Sequence, residues 1–128
     1  MILRVLLALL GVVFTAFGVN VGAGGIASLG LQVDPSFVAS SDPAAYAIQD
    51  SHVRFMGGVF TCVGLSFVWG AMRGPQAYGF LMLLSAFVTV GGIFRLTGML
   101  PGAVWPSFGA ELILMPALAF WLNRTRET

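Results

Sequence analysis

The positions of the few charged residues constrain this chain more than any other feature of its sequence. No ionisable side chain lies between Arg4 and Asp34, and similar uncharged, apolar stretches follow at 55–72, 74–94 and 112–123. A helix needs about 20 apolar residues to cross a hydrocarbon layer roughly 30 Å thick. Each stretch approaches that length, although the last is short unless the residues before it are included. The pattern predicts four membrane spans, and any charge inside a span becomes a candidate functional residue.

Composition supports a single membrane domain over residues 1–128. Of the 128 residues, 58% are hydrophobic and 9% are charged, whereas about 25% of the residues in a soluble domain are charged. The chain has too few polar side chains to cover its surface in water. We predict an all-α integral membrane protein, a four-helix bundle with spans at about 3–23, 53–72, 77–96 and 106–122.

Charge and cysteine content argue against two other classes of protein. The net charge of +1 includes six arginines and no lysine, and the arginines are scattered along the chain. Nucleic-acid binding needs a clustered basic surface, so we predict no nucleic-acid partner. The single cysteine, Cys62, lies in the second apolar stretch and can form neither an internal disulfide nor a cysteine-based metal site. We interpret it as a small packing residue, and we predict no cofactor and no metal ion.

The N-terminus also has features of a secretory signal peptide. Arg4 supplies a positive lead, residues 5–19 an apolar core, and Val21-Gly22-Ala23 a small-residue site that a signal peptidase accepts. We expect instead that this segment is retained as the first span.

Arginines at three places predict the orientation of the spans. Arg4 precedes the first span, Arg73 lies in the turn between the second and third, and Arg124 and Arg126 follow the fourth. Because arginine and lysine are enriched in cytoplasmic segments, both termini are predicted to be cytoplasmic. The opposite side receives residues 24–51, which contain aspartates but no arginine. We expect the protein to be a multi-pass protein of the bacterial inner membrane.

The extracytoplasmic segment between spans one and two is too apolar for a disordered linker. Two Asp-Pro pairs, at 34–35 and 42–43, each place a capping carboxylate before a proline at the first helical position. We predict a short surface helix at 35–39. We also predict that a second helix begins at the later proline and continues without a break into span two.

Two local signals should interrupt helices elsewhere. The Gly24-Gly25 pair ends the first span, because glycine is common just past a helix C-terminus. Pro116 lies inside the fourth span and lacks the N–H that a helix interior needs. We expect it to kink that helix or to free a carbonyl.

Small residues recur at helical spacing on one face of three spans. Such stripes let helices approach closely in lipid, where the hydrophobic effect does not drive helix association. We interpret them as packing faces inside the bundle, and the alternative is that one of them docks another protein. They are Gly11, Thr15, Gly18 and Gly22 on span one, Gly57, Thr61 and Gly64 on span two, and Ser85, Thr89 and Gly92 on span three.

Charged residues near the outer ends of three spans form a candidate polar cluster. Arg54 begins span two, Arg95 lies near the end of span three, and Glu111 lies about one turn into span four. Asp50 precedes Arg54 by four residues, so the two share a helix face. Because charges are unfavourable in lipid, these groups should turn inward and pair.

Three interpretations of this cluster remain open. It is an ion-paired clasp that holds the outer ends of spans two, three and four together, or a pocket whose arginines bind a lipid phosphate or carboxylate. The third interpretation is proton relay or catalysis through Glu111 or His52. No nucleophile and base pair, phosphate loop or metalloprotease spacing accompanies the cluster in the sequence.

Two further polar residues lie near the same depth. His52 alone does not make a zinc site, because Asp50 lies on a different helix face and no other good ligand is near in sequence. We interpret His52 as an interfacial, partly solvated residue. Asn20 is expected to hydrogen-bond the cluster or lipid headgroups.

Three short segments resemble the pattern of a known family. They are Asp50-Ser51-His52-Val53-Arg54-Phe55-Met56-Gly57-Gly58, Gly91-Gly92-Ile93-Phe94-Arg95-Leu96 and Glu111-Leu112. This set resembles a family of small four-helix bacterial inner-membrane proteins catalogued as a domain of unknown function, and the likeness covers nearly the whole chain. The resemblance implies a four-helix bundle with these charged positions in one signature. It implies no activity.

These observations predict a non-catalytic accessory or assembly subunit of a larger inner-membrane complex. Its partners would be membrane lipids and either another membrane protein or further copies of itself. The alternative is a small homo-oligomeric transporter or a lipid- or anion-binding protein that uses Arg54, Arg95 and Glu111. A transporter normally carries a charge near mid-membrane, whereas these charges lie near one surface. A membrane enzyme is the third hypothesis.

Overall fold

The computed structural model describes residues 1–31, 41–96 and 109–126, and within them the chain is helical. The surface helix predicted at 35–39 lies outside these residues. The chain divides into two compact units, Met1–Ala71 and Met72–Thr128, which we call unit 1 and unit 2. The described helices are α1 (Ile2–Gly24), α2 (Pro43–Arg73), α3 (Pro75–Leu96) and α4 (Met115–Arg126), with a 3₁₀ segment at Gly25–Leu31 and a π-helical turn at Ala110–Leu114.

Three of the described helices are long and apolar enough to cross a membrane, by length and composition. These segments are Ile2–Ser28, Pro43–Arg73 and Pro75–Phe94, and they correspond to the first three predicted spans. In the region of the fourth, the described residues form a five-residue π turn followed by a 12-residue helix. Residues 106–108 of that predicted span lie outside the described residues. The fourth span stays a prediction.

Large apolar side chains are exposed along the middle of these helices. Val12 and Val13 on α1, Leu65 on α2 and Phe87 on α3 each expose at least half of their surface. Soluble monomers rarely expose apolar patches larger than a few hundred Å². Outward faces of this kind are suited to contact with lipid chains.

Glycines form the contact between α1 and α2 in unit 1. A Cβ atom added to Gly18 would lie 2.7 Å from the carbonyl oxygen of Gly57, and one added to Gly64 would lie 2.7 Å from that of Gly11. Ordinary contacts between carbon atoms are about 3.5–4.0 Å. The helices are antiparallel and touch through their backbones. We call this contact the glycine seam; it comprises Gly11, Thr15, Gly18 and Gly22 of α1 with Gly57, Thr61 and Gly64 of α2.

Aromatic rings lie beside the glycine seam. Phe60 stacks on Phe14 with a centroid distance of 6.2 Å, and its edge meets Phe17 at 5.4 Å. These offset and edge-on arrangements are the favourable ones for aromatic pairs. In the seam itself, the Thr61 hydroxyl donates to the carbonyl of Gly57 at 2.9 Å. That polar group therefore has a partner on its own helix and needs none from lipid.

The start of α2 confirms the prediction made from the second Asp-Pro pair. Asp42 caps the helix: its Oδ1 accepts the Ala44 N–H at 3.0 Å, and its carbonyl accepts the Tyr46 N–H at 2.8 Å. Pro43 occupies the first helical position, where its missing N–H costs nothing. The helix then runs unbroken for 31 residues, about 46 Å at 1.5 Å per residue. That length exceeds the hydrocarbon thickness by several turns.

In unit 2, α4 packs along one face of α3. Leu81 and Ser85 on α3 and Met115, Leu118 and Leu122 on α4 are fully or almost fully buried, as expected where two helices pack together. The Ser85 hydroxyl donates to the carbonyl of Leu81 at 2.8 Å. The small-residue stripe of span three therefore lies in a packed interface inside its own unit.

Pro116 follows directly after the π-helical turn. The Met115 N–H donates to the carbonyl of Ala110, five residues earlier. In a regular α-helix the ring of Pro116 would clash with the carbonyl of Leu112, four residues before it. The wider turn is a known way to relieve such a clash. The sequence did not predict a π turn, and the expected kink or free carbonyl stays a prediction. The helix continues to Arg126.

Candidate functional site

Asp50 and Arg54 form an ion pair on one face of α2. The Arg54 Nε donates to Asp50 Oδ2 at 2.6 Å. The pairing agrees with the predicted shared face, which follows from their spacing of four residues. The Arg54 side chain is 45% exposed and that of Asp50 only 19%. Asp50 is therefore the more shielded member, and Arg54 forms the rim of the site.

Arg54 also binds the C-terminal end of α1. Its Nη1 donates to the carbonyl of Ala23 and, at 3.4 Å, to that of Gly22. The last carbonyls of a helix have no partner inside the helix, and they form the negative end of the helix dipole. A guanidinium satisfies both needs, because it is a cation with several N–H donors in one plane.

Asp50 holds the residue that follows the end of α1. Its Oδ1 accepts the Ile26 N–H at 2.8 Å. The chain reaches this position because Gly25 adopts φ 60°, in the left-handed region that favours glycine. A Cβ atom on Gly25 would lie 2.8 Å from Asp50 Cγ and 3.0 Å from Arg54 Nε. Both the positive φ angle and the lack of room for a Cβ atom favour glycine at position 25.

We call this arrangement the helix-end clasp: Asp50 and Arg54 of α2 with the backbone of Gly22, Ala23 and Ile26. One carboxylate oxygen takes the ion pair and the other takes the backbone N–H, while the guanidinium covers two helix-end carbonyls. Charge-assisted hydrogen bonds of this kind are stronger than bonds between neutral groups. The clasp ties α1 to α2 at one end of unit 1.

Glu111 lies in unit 2, on the π turn before α4. Its side chain is 8% exposed and lies against Gly92 of α3. A Cβ atom on Gly92 would come within 2.7 Å of Glu111 Cβ and 3.1 Å of its Oε2. The glycine on α3 therefore provides the space that this carboxyl group occupies. One turn earlier, the Thr89 hydroxyl donates to the carbonyl of Ser85 at 2.9 Å.

The remaining predicted site residues have less defined roles. Arg95 lies on α3, three residues after Gly92, and its side chain lies outside what the structure describes. His52 is exposed, and its Nδ1 lies 2.9 Å from the carbonyl of Ile48, so the ring hydrogen-bonds its own helix. Asn20 is exposed on α1. Pairing of Arg54 or Arg95 with Glu111 stays a prediction.

Sequence reasoning missed the partner of the Asp50–Arg54 pair. We expected these residues to pair with charges on spans three and four, whereas their described contacts are with the end of α1. The signal was present in the sequence. Gly24-Gly25 marks a helix C-terminus whose carbonyls need donors, and Arg54 lies near the same predicted depth.

Potential metal ligands lie apart from one another in the described part of the chain. Among residues 1–31, 41–96 and 109–126, no three side chains of His, Cys, Asp or Glu lie close enough together to hold an ion. Cys62 is exposed on α2. The prediction that it is a small packing residue is therefore wrong within unit 1.

The described helices and the helix-end clasp define a class of protein. The described chain is helical, with three apolar segments of membrane-spanning length and a polar site whose contacts join two of them. The family model described as a domain of unknown function (DUF4345) matches residues 2–122, and the chain belongs to this family. The resemblance found in the three short segments is thereby confirmed. Searches of curated proteins and of solved structures gave no match.

Proposed function

We propose that this protein is a non-catalytic, four-span protein of the bacterial inner membrane that acts as an accessory or assembly subunit of a larger membrane complex. Both termini would face the cytoplasm. The fourth span would include α4 and the residues before it. The proposal is supported by three apolar helices of sufficient length and by the outward-facing apolar side chains along them.

The observation that carries the non-catalytic part is the helix-end clasp. Asp50 and Arg54 are the polar residues that the sequence marks most strongly in unit 1, and both make their bonds within the chain. His52 likewise contacts its own helix. Groups engaged in this way stabilise a fold, whereas a catalytic acid or base must reach a substrate proton.

The clasp also argues against Arg54 as the centre of an anion pocket. Its guanidinium donates to three oxygen acceptors: a carboxylate oxygen of Asp50 and the carbonyls of Gly22 and Ala23. These negative groups already offset the charge of the arginine. An added phosphate or carboxylate would meet repulsion from Asp50 and from the negative end of the α1 dipole.

A second candidate function rests on Glu111. This carboxyl group is buried beside Gly92 on a π-helical turn, and both intramembrane carboxyl groups and π turns are frequent at functional sites. The alternative proposal is a small homo-oligomeric transporter or a lipid- or anion-binding protein that uses Glu111 with Arg95.

Gentle purification tests both proposals. The tagged protein would be extracted from carbonate-washed membranes with a mild detergent, and its co-purifying proteins and lipids identified by mass spectrometry. Gly57→Leu, which disrupts the glycine seam, would be compared with Gly58→Leu, because nothing lies within 4 Å of a Cβ atom at Gly58. A partner that recognises the folded protein should be lost from the first variant and kept by the second.

Each result of this experiment favours one answer. A stoichiometric protein partner that Gly58→Leu retains and Gly57→Leu loses supports the accessory role. A homo-oligomer that retains an anionic solute and no partner supports the alternative. A chain that carbonate removes from the membrane contradicts both proposals.

A further inference from the structure

Arginines gather at one end of unit 2. Arg73 immediately precedes the turn into α3, and Arg124 and Arg126 lie in the last turn of α4; all three are exposed. In the described part of unit 2, Glu111 is the only acidic residue. It lies 13 residues before Arg124, which is about 20 Å along a helix at 1.5 Å per residue. Glu127 follows in the sequence, so the arginines outnumber the nearby carboxylates.

Arg126 reaches across to α3 because of a glycine. A Cβ atom on Gly79 would lie 3.1 Å from Arg126 Nη1, so the guanidinium lies against the backbone of α3. Gly79 is four residues after Pro75, where α3 begins. The end of α4 is therefore beside the first turns of α3, and Arg73 belongs to the same end of the unit.

Arg124 is positioned by an aromatic ring. Its Cζ lies 5.5 Å from the centroid of the Phe120 ring, one turn earlier on α4. A guanidinium above a ring face gains cation–π attraction, and its N–H edges stay available to a planar oxygen group. Contacts within unit 2 therefore position both arginines of α4: Arg124 packs on the Phe120 ring, and Arg126 lies in the space left by Gly79.

Arg124 lies beside an exposed apolar surface on α4. Phe120 is 64% and Trp121 41% exposed, and tryptophan is enriched where lipid headgroups meet the hydrocarbon. A group bound by the arginines would therefore have its apolar portion next to these rings. A phospholipid has that arrangement of phosphate and acyl chains, whereas a free phosphate has no apolar portion.

We propose that Arg73, Arg124 and Arg126 form a binding surface for the phosphate of an anionic phospholipid headgroup. This inference rests on the proposed membrane insertion of unit 2, and it concerns the end of unit 2 opposite Glu111. Attraction to an anionic leaflet amounts to about fivefold in binding for each arginine near the surface. Loss of two arginines should then weaken binding roughly 25- to 30-fold.

The test uses the full chain in detergent micelles and native mass spectrometry with phosphatidylglycerol or phosphatidylcholine added. The parent should retain phosphatidylglycerol in preference to phosphatidylcholine, and the Arg124→Gln/Arg126→Gln variant should lose that preference. Arg4→Gln is the matched control, because Arg4 is an exposed arginine near the start of α1 and belongs to unit 1. It should retain the lipid. Phe120→Leu keeps every charge and should lower retention by less than the double variant does.

Four outcomes would overturn the proposal. They are equal retention of the two lipids by the parent, unchanged retention in the double variant, an equal loss in Arg4→Gln, and displacement of the lipid by millimolar inorganic phosphate. Helical circular dichroism of each variant would show that it is folded. If the double variant is less heat-stable but still keeps the lipid, the two arginines only stabilise the C-terminal end of α4 through the helix dipole. Failure of the parent to remain in carbonate-washed membranes would instead contradict the proposed function.

Discussion

Two adjacent glycines on α2 give a direct test of the glycine seam. Gly57 is buried in the contact with α1, whereas Gly58 is exposed and a Cβ atom there would have no neighbour within 4 Å. Alanine at either position gains about 1 kcal/mol in helix propensity over glycine. The difference between Gly57→Ala and Gly58→Ala therefore isolates the packing contribution.

The magnitude follows from the backbone contacts of Gly57. A Cβ atom there would lie 2.5 Å from Gly22 Cα and 2.8 Å from the carbonyl oxygen of Gly18. Backbone atoms cannot rotate away, so α1 and α2 must separate by about 1 Å to restore ordinary contact. A gap of that size forfeits a quarter to a half of each dispersion contact nearby, and overpacking typically costs about 1–3 kcal/mol.

We therefore expect Gly58→Ala to be neutral or slightly stabilising and Gly57→Ala to be less stable than it by about 1–3 kcal/mol. The assay is the thermal midpoint in one detergent, followed by circular dichroism, with the two variants measured beside the parent. Equal midpoints for the two variants would refute the close backbone contact between α1 and α2.

Three further predictions follow from the topology and the charged residues. Ser41→Cys in a cysteine-free background should react with an impermeant thiol reagent in intact cells, and Gln76→Cys only after lysis; labelling in the reverse order would contradict the orientation. Glu111→Ala should lower the thermal midpoint clearly more than Glu127→Ala, because Glu111 is buried against α3; equal effects would show that it is solvated. Arg54→Lys should stay folded, since lysine keeps the charge, but it should be less stable than the parent. A single ammonium group cannot reproduce the several coplanar N–H donors of the guanidinium. A variant as stable as the parent would show that the described guanidinium geometry is unimportant.

Sequence pattern alone was sufficient to locate three of the described helices. The uncharged stretches located α1, the body of α2 and α3, because the length and the absence of charge that a membrane span requires also predict a long apolar helix. Asp42 and Pro43 predicted the start of α2 because capping is decided by a few adjacent residues. The small-residue spacing indicated a close contact, since Gly18 and Gly57 lie on helix faces that a period of 3.6 residues defines.

The contacts of the polar residues were harder to predict. A charge pattern shows that Arg54 needs acceptors but not which ones. Gly24-Gly25 marks a helix end whose carbonyls need donors, but it does not show which side chain reaches them. The π turn before Pro116 was similarly hidden, because several adjustments relieve a proline inside a helix. Both features depend on how a neighbouring backbone is placed, and a single sequence does not encode that placement locally.

The glycine seam and the helix-end clasp depend on each other. Gly22 belongs to the seam and also supplies a carbonyl to Arg54, and its own Cβ would lie 3.6 Å from the backbone of Gly57. Because the seam brings the two backbones together, the end of α1 comes within reach of a side chain on α2. The clasp in turn satisfies carbonyls at this end that have no partner inside the helix. A glycine-rich contact and a paired arginine therefore act as one structural unit, which is why Arg54 is better understood as part of the fold than as a vacant anion site.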